Sequence, residues 1–297
     1  MGTKLQKMSD LYWHISLYLS IAYVIVIFGI KFFMSFRDKG YDLRKYLSAW
    51  NILLSIFSIC GVIRCLPEFL HIIYTKGMTA SFCDASYYED ARLNIWYLFF
   101  TLSKALELFD TVFIVLRKQK LIHLHWVHHV LTLTYSWYVF ADVPSTARWM
   151  VNMNFLIHSM MYTYYALRAM RFVIPRVVNV TITSLQIAQM FAGLFINYLA
   201  LHYKLSGTPC DLSRKVAVFG FSLYFLFFLL FMNFFIRSYI LKASPQQQKG
   251  KHLVSNGYYN KPDINQNTNF KNNYNSNGYT ANGIGNGVCN GKLKKTL

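Results

Sequence analysis

The sequence predicts an all-α polytopic membrane protein with seven transmembrane helices. Three observations carry this. Only 14% of the 297 residues are charged, against roughly 25% in a soluble domain. Hydrophobic residues make up 55% and aromatic residues 18%, an excess that aromatic belts at membrane interfaces would use. And seven apolar runs reach or approach the ~20 residues that a membrane helix needs.

The first run, 11–34, is too long for the apolar core of a secretory signal. No small-residue cleavage site follows it, so it reads as a first span. Runs at 47–75, 94–115, 126–142, 149–170, 180–202 and 215–240 follow, the fourth being short and polar. All are expected to be helical, because unpaired backbone is costly in lipid and alternating barrel-strand patterns are absent. Residues 1–240 thus form one membrane domain. Residues 241–297 are rich in Asn, Gly, Tyr and Lys and nearly lack branched aliphatics. They bury too little to offset ordering entropy and are expected to be a disordered tail.

Net charge is +18. The basic residues lie between apolar runs and in the tail rather than on a polar stripe, which argues for loop charges in a membrane protein and against nucleic-acid binding. Seven spans put the termini on opposite sides. With a cytosolic C-terminus, nineteen loop and tail Lys and Arg face the cytosol and eight face away, the bias expected of that orientation. Cys60 and Cys65 fall in the second span and Cys289 in the tail. Cys83 and Cys210 remain in loops on the opposite, oxidising side, and are predicted to form a disulfide. Asn179-Val180-Thr181 is a glycosylation sequon that this topology leaves on the cytosolic side and unmodified. Lys294 and Lys295, fourth and third from the end, match the dilysine retrieval signal of endoplasmic-reticulum (ER) membrane proteins.

The middle spans carry polar residues at helical spacing. Lys104, Glu107, Asp110 and Thr111 share one face. Each such charge would cost roughly 2.5–3.5 kcal/mol facing lipid, so they must point inward. His125, His128 and His129 share a face of the fourth span. Three imidazoles so placed either bind metal or do acid–base and nucleophilic work. Asn154, His158, Tyr162 and Tyr165 stripe the fifth span, and Thr183, Gln186, Gln189 and Asn197 the sixth. Together they imply one shared polar chamber. Arg117, Lys118, Lys120, Arg168, Arg171 and Arg237 cluster at its cytosolic mouth, where they could hold the phosphates of a nucleotide-type substrate such as coenzyme A.

Two rival readings account for less. A membrane di-iron desaturase or hydroxylase also uses histidines, but from several boxes. This chain has one box, with His14, His71, His202 and His252 scattered. A seven-helix receptor or transporter fits the span count but leaves the histidines beside a Lys-Glu-Asp stripe unexplained.

Ser103 to Thr111, then Leu116-Arg117-Lys118, then His125 to His129, resemble the signature KxxExxDTxFxxLRK…LHxxHH of the ELO fatty-acid elongase family. Asn154 to Tyr165 resembles its NxxxHxxMYxYY block, and Leu185 to Met190 a third. Trp126 in the histidine box is similar to the subfamily that elongates saturated and monounsaturated chains, typically palmitoyl-CoA. His123 departs from the usual Phe.

The resemblance implies an ER enzyme with seven helices, six of them forming an inverted barrel around a substrate tunnel sealed at the lumenal end. It also implies a lumenal disulfide. The reaction implied joins a long-chain acyl-CoA to malonyl-CoA, giving 3-oxoacyl-CoA, carbon dioxide and coenzyme A, with no cofactor or metal. No cysteine lies in the polar blocks to act as nucleophile. The resemblance points to His128 as the acyl-carrying residue, with His125, His129 and His158 orienting it, exchanging protons or stabilising the enolate. Lys104, Glu107, Asp110, Asn154, Tyr162, Gln186 and Gln189 would form the substrate-binding wall. Implied partners are membrane lipid and the ketoacyl reductase, dehydratase and enoyl reductase that complete an elongation cycle. Enzymes of this kind can also form homodimers.

Overall fold

A computed structural model describes residues 13–241. The tail and its dilysine pair, Lys294 and Lys295, lie outside the described residues. Within them the chain is all-helical: α1 Ile15–Ser35, α2 Arg44–Cys83, a 3₁₀ turn Ser86–Glu89, α3 Ala91–Leu106, α4 Phe109–Leu116, α5 His123–Phe140, α6 Ala147–Ala169, α7 Arg176–Leu205 and α8 Arg214–Phe235, which runs on into a π turn Ile236–Ile240.

Local chemistry sets several of these boundaries. Asp90 caps α3 by accepting from the Arg92 amide, and Ser213 caps α8 by accepting from the Val216 amide, each satisfying a free N–H of the first turn. Pro175 stands before α7. Gly77, at φ +84°, kinks α2 near its end, in a backbone region open to glycine. The third predicted span, 94–115, is not one helix. It breaks at Glu107–Leu108, where the amides of Asp110 and Thr111 bond the carbonyls three residues back, at 3.1 and 3.3 Å. Glu107 is the hinge, its carboxylate held by Lys104 and Ser103.

Among the described residues, four helices are long and apolar enough to cross a membrane by length and composition: α1, α2, α7, and α8 with its π turn. The sequence reading expected seven. The shortfall falls on α3 and α4, at 16 and 8 residues each too short to cross alone, and on α5 and α6, whose polar residues lower their hydropathy.

The helices pack in a closed circuit. α2 lies along α6, α6 against α7, α7 along α8, α8 on α5, α5 on α3, and α3 back on α2. α1 stands outside, against α4 and α5, where Tyr23 bonds Thr111 at 2.6 Å. Close approach is built in: a Cβ on Gly61 of α2 would meet the ring of Phe155 of α6 at 2.6 Å.

Loops knit one end of the circuit shut. Cys83 and Cys210 form the predicted disulfide. The Asp211 amide donates to the Cys83 carbonyl at 2.8 Å, and the Asp211 carbonyl accepts from the Ser145 amide at 2.8 Å. The Asp211 carboxylate accepts from the Ala85 amide at 3.1 Å. Arg148, fully buried, pairs with Glu68 at 3.0 Å and donates to the Asp84 carbonyl at 2.5 Å. Beside it, partial burial raises the Asp84 carboxyl's pKa, but hydrogen bonds from Lys76 and Ser86 outweigh that and hold it down at about 2. At the other end the Tyr41 amide bonds the Leu116 carbonyl at 3.0 Å, and the Lys118 ammonium bonds the Arg37 carbonyl.

Candidate active site

A cavity lies inside the circuit, with walls from α3, α5, α6, α7 and α8 and the loops at the closed end. Lys104, His128, Asn154 and Gln189 line one level of it, and Asn94, Tyr97, Tyr87 and Pro144 line it toward the sealed end. Between them the wall is largely apolar, with Phe100, Phe140, Val151, Leu223 and Phe227.

The polar level is one connected network. The Lys104 ammonium donates to Glu107 at 2.7 Å and to Asn154 Oδ1 at 2.9 Å. That fixes the Asn154 amide, whose Nδ2 meets His158 Nε2 at 3.1 Å. Since the amide nitrogen can only donate, His158 Nε2 accepts, and the ring proton belongs on Nδ1. His158 Nδ1 lies 3.8 Å from Glu107, the contact that favours this tautomer. Lys104 and Glu107 are both about 3% exposed, so their pairing removes what would be a prohibitive cost.

Asp110 belongs to a different cluster. It accepts from Trp50 Nε1 at 2.6 Å and from the Tyr162 hydroxyl at 2.8 Å. The Tyr162 ring stands edge-on to His158 at 5.3 Å. Asp110 thus braces the wall behind His158, and the carboxylate beside a histidine is Glu107.

Of the histidine box, His128 reaches the cavity. Its ring packs on Phe227 at 4.7 Å and Phe231 at 6.0 Å, while its Nδ1 is enclosed without a partner among the described residues. Nε2 is therefore the nitrogen able to meet a guest. His129 is buried behind it, 5.8 Å from the His128 ring and 4.5 Å from that of His125. Neither His125 nor His129 lines the cavity. Gln189 lines it, whereas Gln186 turns to Met161 at 3.3 Å. Tyr162, Glu107 and Asp110 back the wall rather than facing inward. Arg117, Lys118, Arg168 and Arg237 all lie at the open end: Arg117 and Arg168 are half-buried, and Lys118 and Arg237 are exposed.

Sequence reasoning did not single out Trp50, Ser103, Asn94, or the Arg148–Glu68 pair. Trp50 and Asn94 stand near the ends of their runs, where aromatic and polar residues are ordinary. Arg148 read as a loop charge.

Fold and site together define a multi-pass helical membrane protein that encloses a mostly apolar cavity headed by an imidazole and a polar network, a layout suited to acyl chemistry. The sequence model of the ELO: GNS1/SUR4 family matches residues 8–247. Very long chain fatty acid elongase 6 of Drosophila melanogaster is 43% identical over 236 residues, 78% of this chain and 73% of that one. The Gallus gallus protein of the same name is 42% identical over 232 residues, 78% and 87% of the two chains. Human very long chain fatty acid elongase 3 is 35% identical over 240 residues, 80% and 88%. The chain belongs to the ELO, or GNS1/SUR4, family, and it is a fatty-acid elongase, the condensing enzyme of fatty-acid elongation.

Proposed function

We propose that the protein elongates palmitoyl-CoA with malonyl-CoA through an acyl-imidazole on His128. One observation carries the reading: His128 is the member of its box that lines the cavity, on the level of Lys104, Asn154 and Gln189. Palmitoyl-CoA is favoured by the Trp126 type of histidine box and by the elongase 6 relatives.

Nε2 of neutral His128 attacks the thioester carbonyl. The carbon–sulfur bond breaks, and coenzyme A leaves as the thiol with the imidazole proton. Malonyl-CoA then loses carbon dioxide, and the electron pair of the broken carbon–carbon bond stays on the α-carbon as an enolate. That carbon attacks the acyl group, the carbon–nitrogen bond breaks, and His128 regains a proton. The sum is 3-oxoacyl-CoA, carbon dioxide and coenzyme A, with one proton consumed. Gln189 donates to a thioester oxygen, and the Lys104–Asn154–His158 chain stabilises the enolate. The six-helix circuit acts as a barrel around the acyl tunnel, and its sealed end keeps water from the acyl-imidazole. Arg117, Lys118, Arg168 and Arg237 meet the coenzyme A phosphates at the open mouth.

The same reading gives seven spans, with α3 and α4 together making one, and places the enzyme in the ER membrane with its C-terminus in the cytosol. Lys294 and Lys295 return it there, and the reductases and dehydratase of the cycle take its product. A glycan on Asn179 would overturn this topology.

The test is purified protein with palmitoyl-CoA and labelled malonyl-CoA, beside His128→Ala. Labelled 3-oxoacyl-CoA is expected from the native protein alone. Intact mass should show an acyl adduct before malonyl-CoA is added. Full activity in His128→Ala would reject the nucleophile.

A further inference from the structure

The sealed end of the cavity is not built for hydrocarbon alone. Asn94 lines it, is 6% exposed, and its carboxamide makes no hydrogen bond among the described residues. Of the nearby polar groups, Thr101 donates to the Tyr97 carbonyl at 2.9 Å, Ser136 to the Leu133 carbonyl at 3.1 Å, and Tyr87 to the Pro144 carbonyl at 3.0 Å, while the buried Tyr97 hydroxyl, like Asn94, has no partner among the described residues. Asn94 shares a face of α3 with Tyr97, Thr101 and Lys104. It precedes Lys104 by about 15 Å of helix, at 1.5 Å per residue. An acyl chain held at the His128 level and extending toward the closed end would bring its far terminus to this amide. A methyl group there would leave both the donor and the acceptor unsatisfied, which is unfavourable for a buried amide.

We propose that the blind end is a polar subsite, and that the enzyme accepts ω-hydroxyacyl-CoA with the terminal hydroxyl hydrogen-bonded to the Asn94 carboxamide. The proposal rests on the reading that the chain hangs from His128. A hydroxyl both donates and accepts and so matches an amide on both counts. A carboxylate would need a free cation, and the nearby Arg148 is already held by Glu68 and by backbone carbonyls. An apolar floor would instead reject a hydroxyl through the cost of burying it unpaired.

The test is a competition between palmitoyl-CoA and ω-hydroxypalmitoyl-CoA with labelled malonyl-CoA, using the full purified chain. The native enzyme should turn over the two with kcat/KM values within about tenfold of one another. Asn94→Leu should shift the ratio against the hydroxylated substrate by on the order of tenfold while still elongating palmitoyl-CoA. Asn94→Gln, which keeps an amide, should restore part of that ratio. Native discrimination against the hydroxyl well beyond tenfold overturns the proposal, and so does a ratio that Asn94→Leu leaves unchanged. In both cases palmitoyl-CoA product keeps the elongase reading intact. Absence of product from both substrates overturns that reading and the proposal with it. If Asn94→Leu does not fold, the native competition decides alone.

Discussion

Lys104 and Glu107 form an ion pair inside the wall, with both side chains about 4% exposed. Removing one partner of such a pair strands a buried charge. Glu107→Gln should therefore cost about 3–5 kcal/mol, read as a lower thermal midpoint in detergent. Lys104→Met combined with Glu107→Gln should recover part of that loss while leaving condensation weak, because Asn154 and His158 lose their anchor. This network was largely legible in the sequence. Charged and amide residues inside apolar runs can only face inward, and their spacing put Lys104, Glu107, Asn154 and His158 on shared faces. The bracing of Asp110 was not legible, because its partners come from two other helices. Trp50 stands near the start of α2, where an aromatic is ordinary, and nothing local points it at a carboxylate sixty positions later. The division of labour among His125, His128 and His129 was closed to the sequence too, since it depends on which ring α8 covers.

Among the helices, α2 approaches α6 closely at Gly61. Phe155 is 2% exposed, so its ring has no room to yield to a Cβ on Gly61. Gly61→Ala should destabilise by about 1–3 kcal/mol, and adding Phe155→Leu should relieve it. Gly29→Ala in α1 meets nothing within 4 Å and should leave the thermal midpoint unlowered. Periodicity and run length located every helix to within a few residues at most ends. α2 is the exception, running to Cys83 rather than 75 because Gly77 turns the chain without ending it. The break between α3 and α4 had no local signal, as Leu106-Glu107-Leu108-Phe109 holds neither glycine nor proline. It comes from Glu107 being pulled to Lys104 and Ser103.

On the scale of the whole molecule, one covalent bond ties the closed end together. Cys83 and Cys210 are 127 residues apart, and losing a native disulfide typically costs about 2–5 kcal/mol, towards the upper end for a long loop. Cys83→Ser with Cys210→Ser should lower the thermal midpoint accordingly. On the proposed mechanism it should also release free palmitate from palmitoyl-CoA in the absence of malonyl-CoA, as water reaches the acyl-imidazole. Unchanged hydrolysis would place the water barrier elsewhere. The pairing was legible by sorting cysteines between two sides of a membrane. The closed circuit of six helices was not, because no spacing rule says which helix lies beside which.

That circuit is completed by α8, which joins α7 to α5 and lays Phe227 and Phe231 on the His128 ring. The wall over the imidazole is thus encoded about a hundred residues after the imidazole itself. A growing chain leaving the ribosome would carry its histidine box, its lysine and its asparagine for some time with one side of the chamber missing. An unfinished copy has every group the proposed condensation requires and no enclosed space in which to use them.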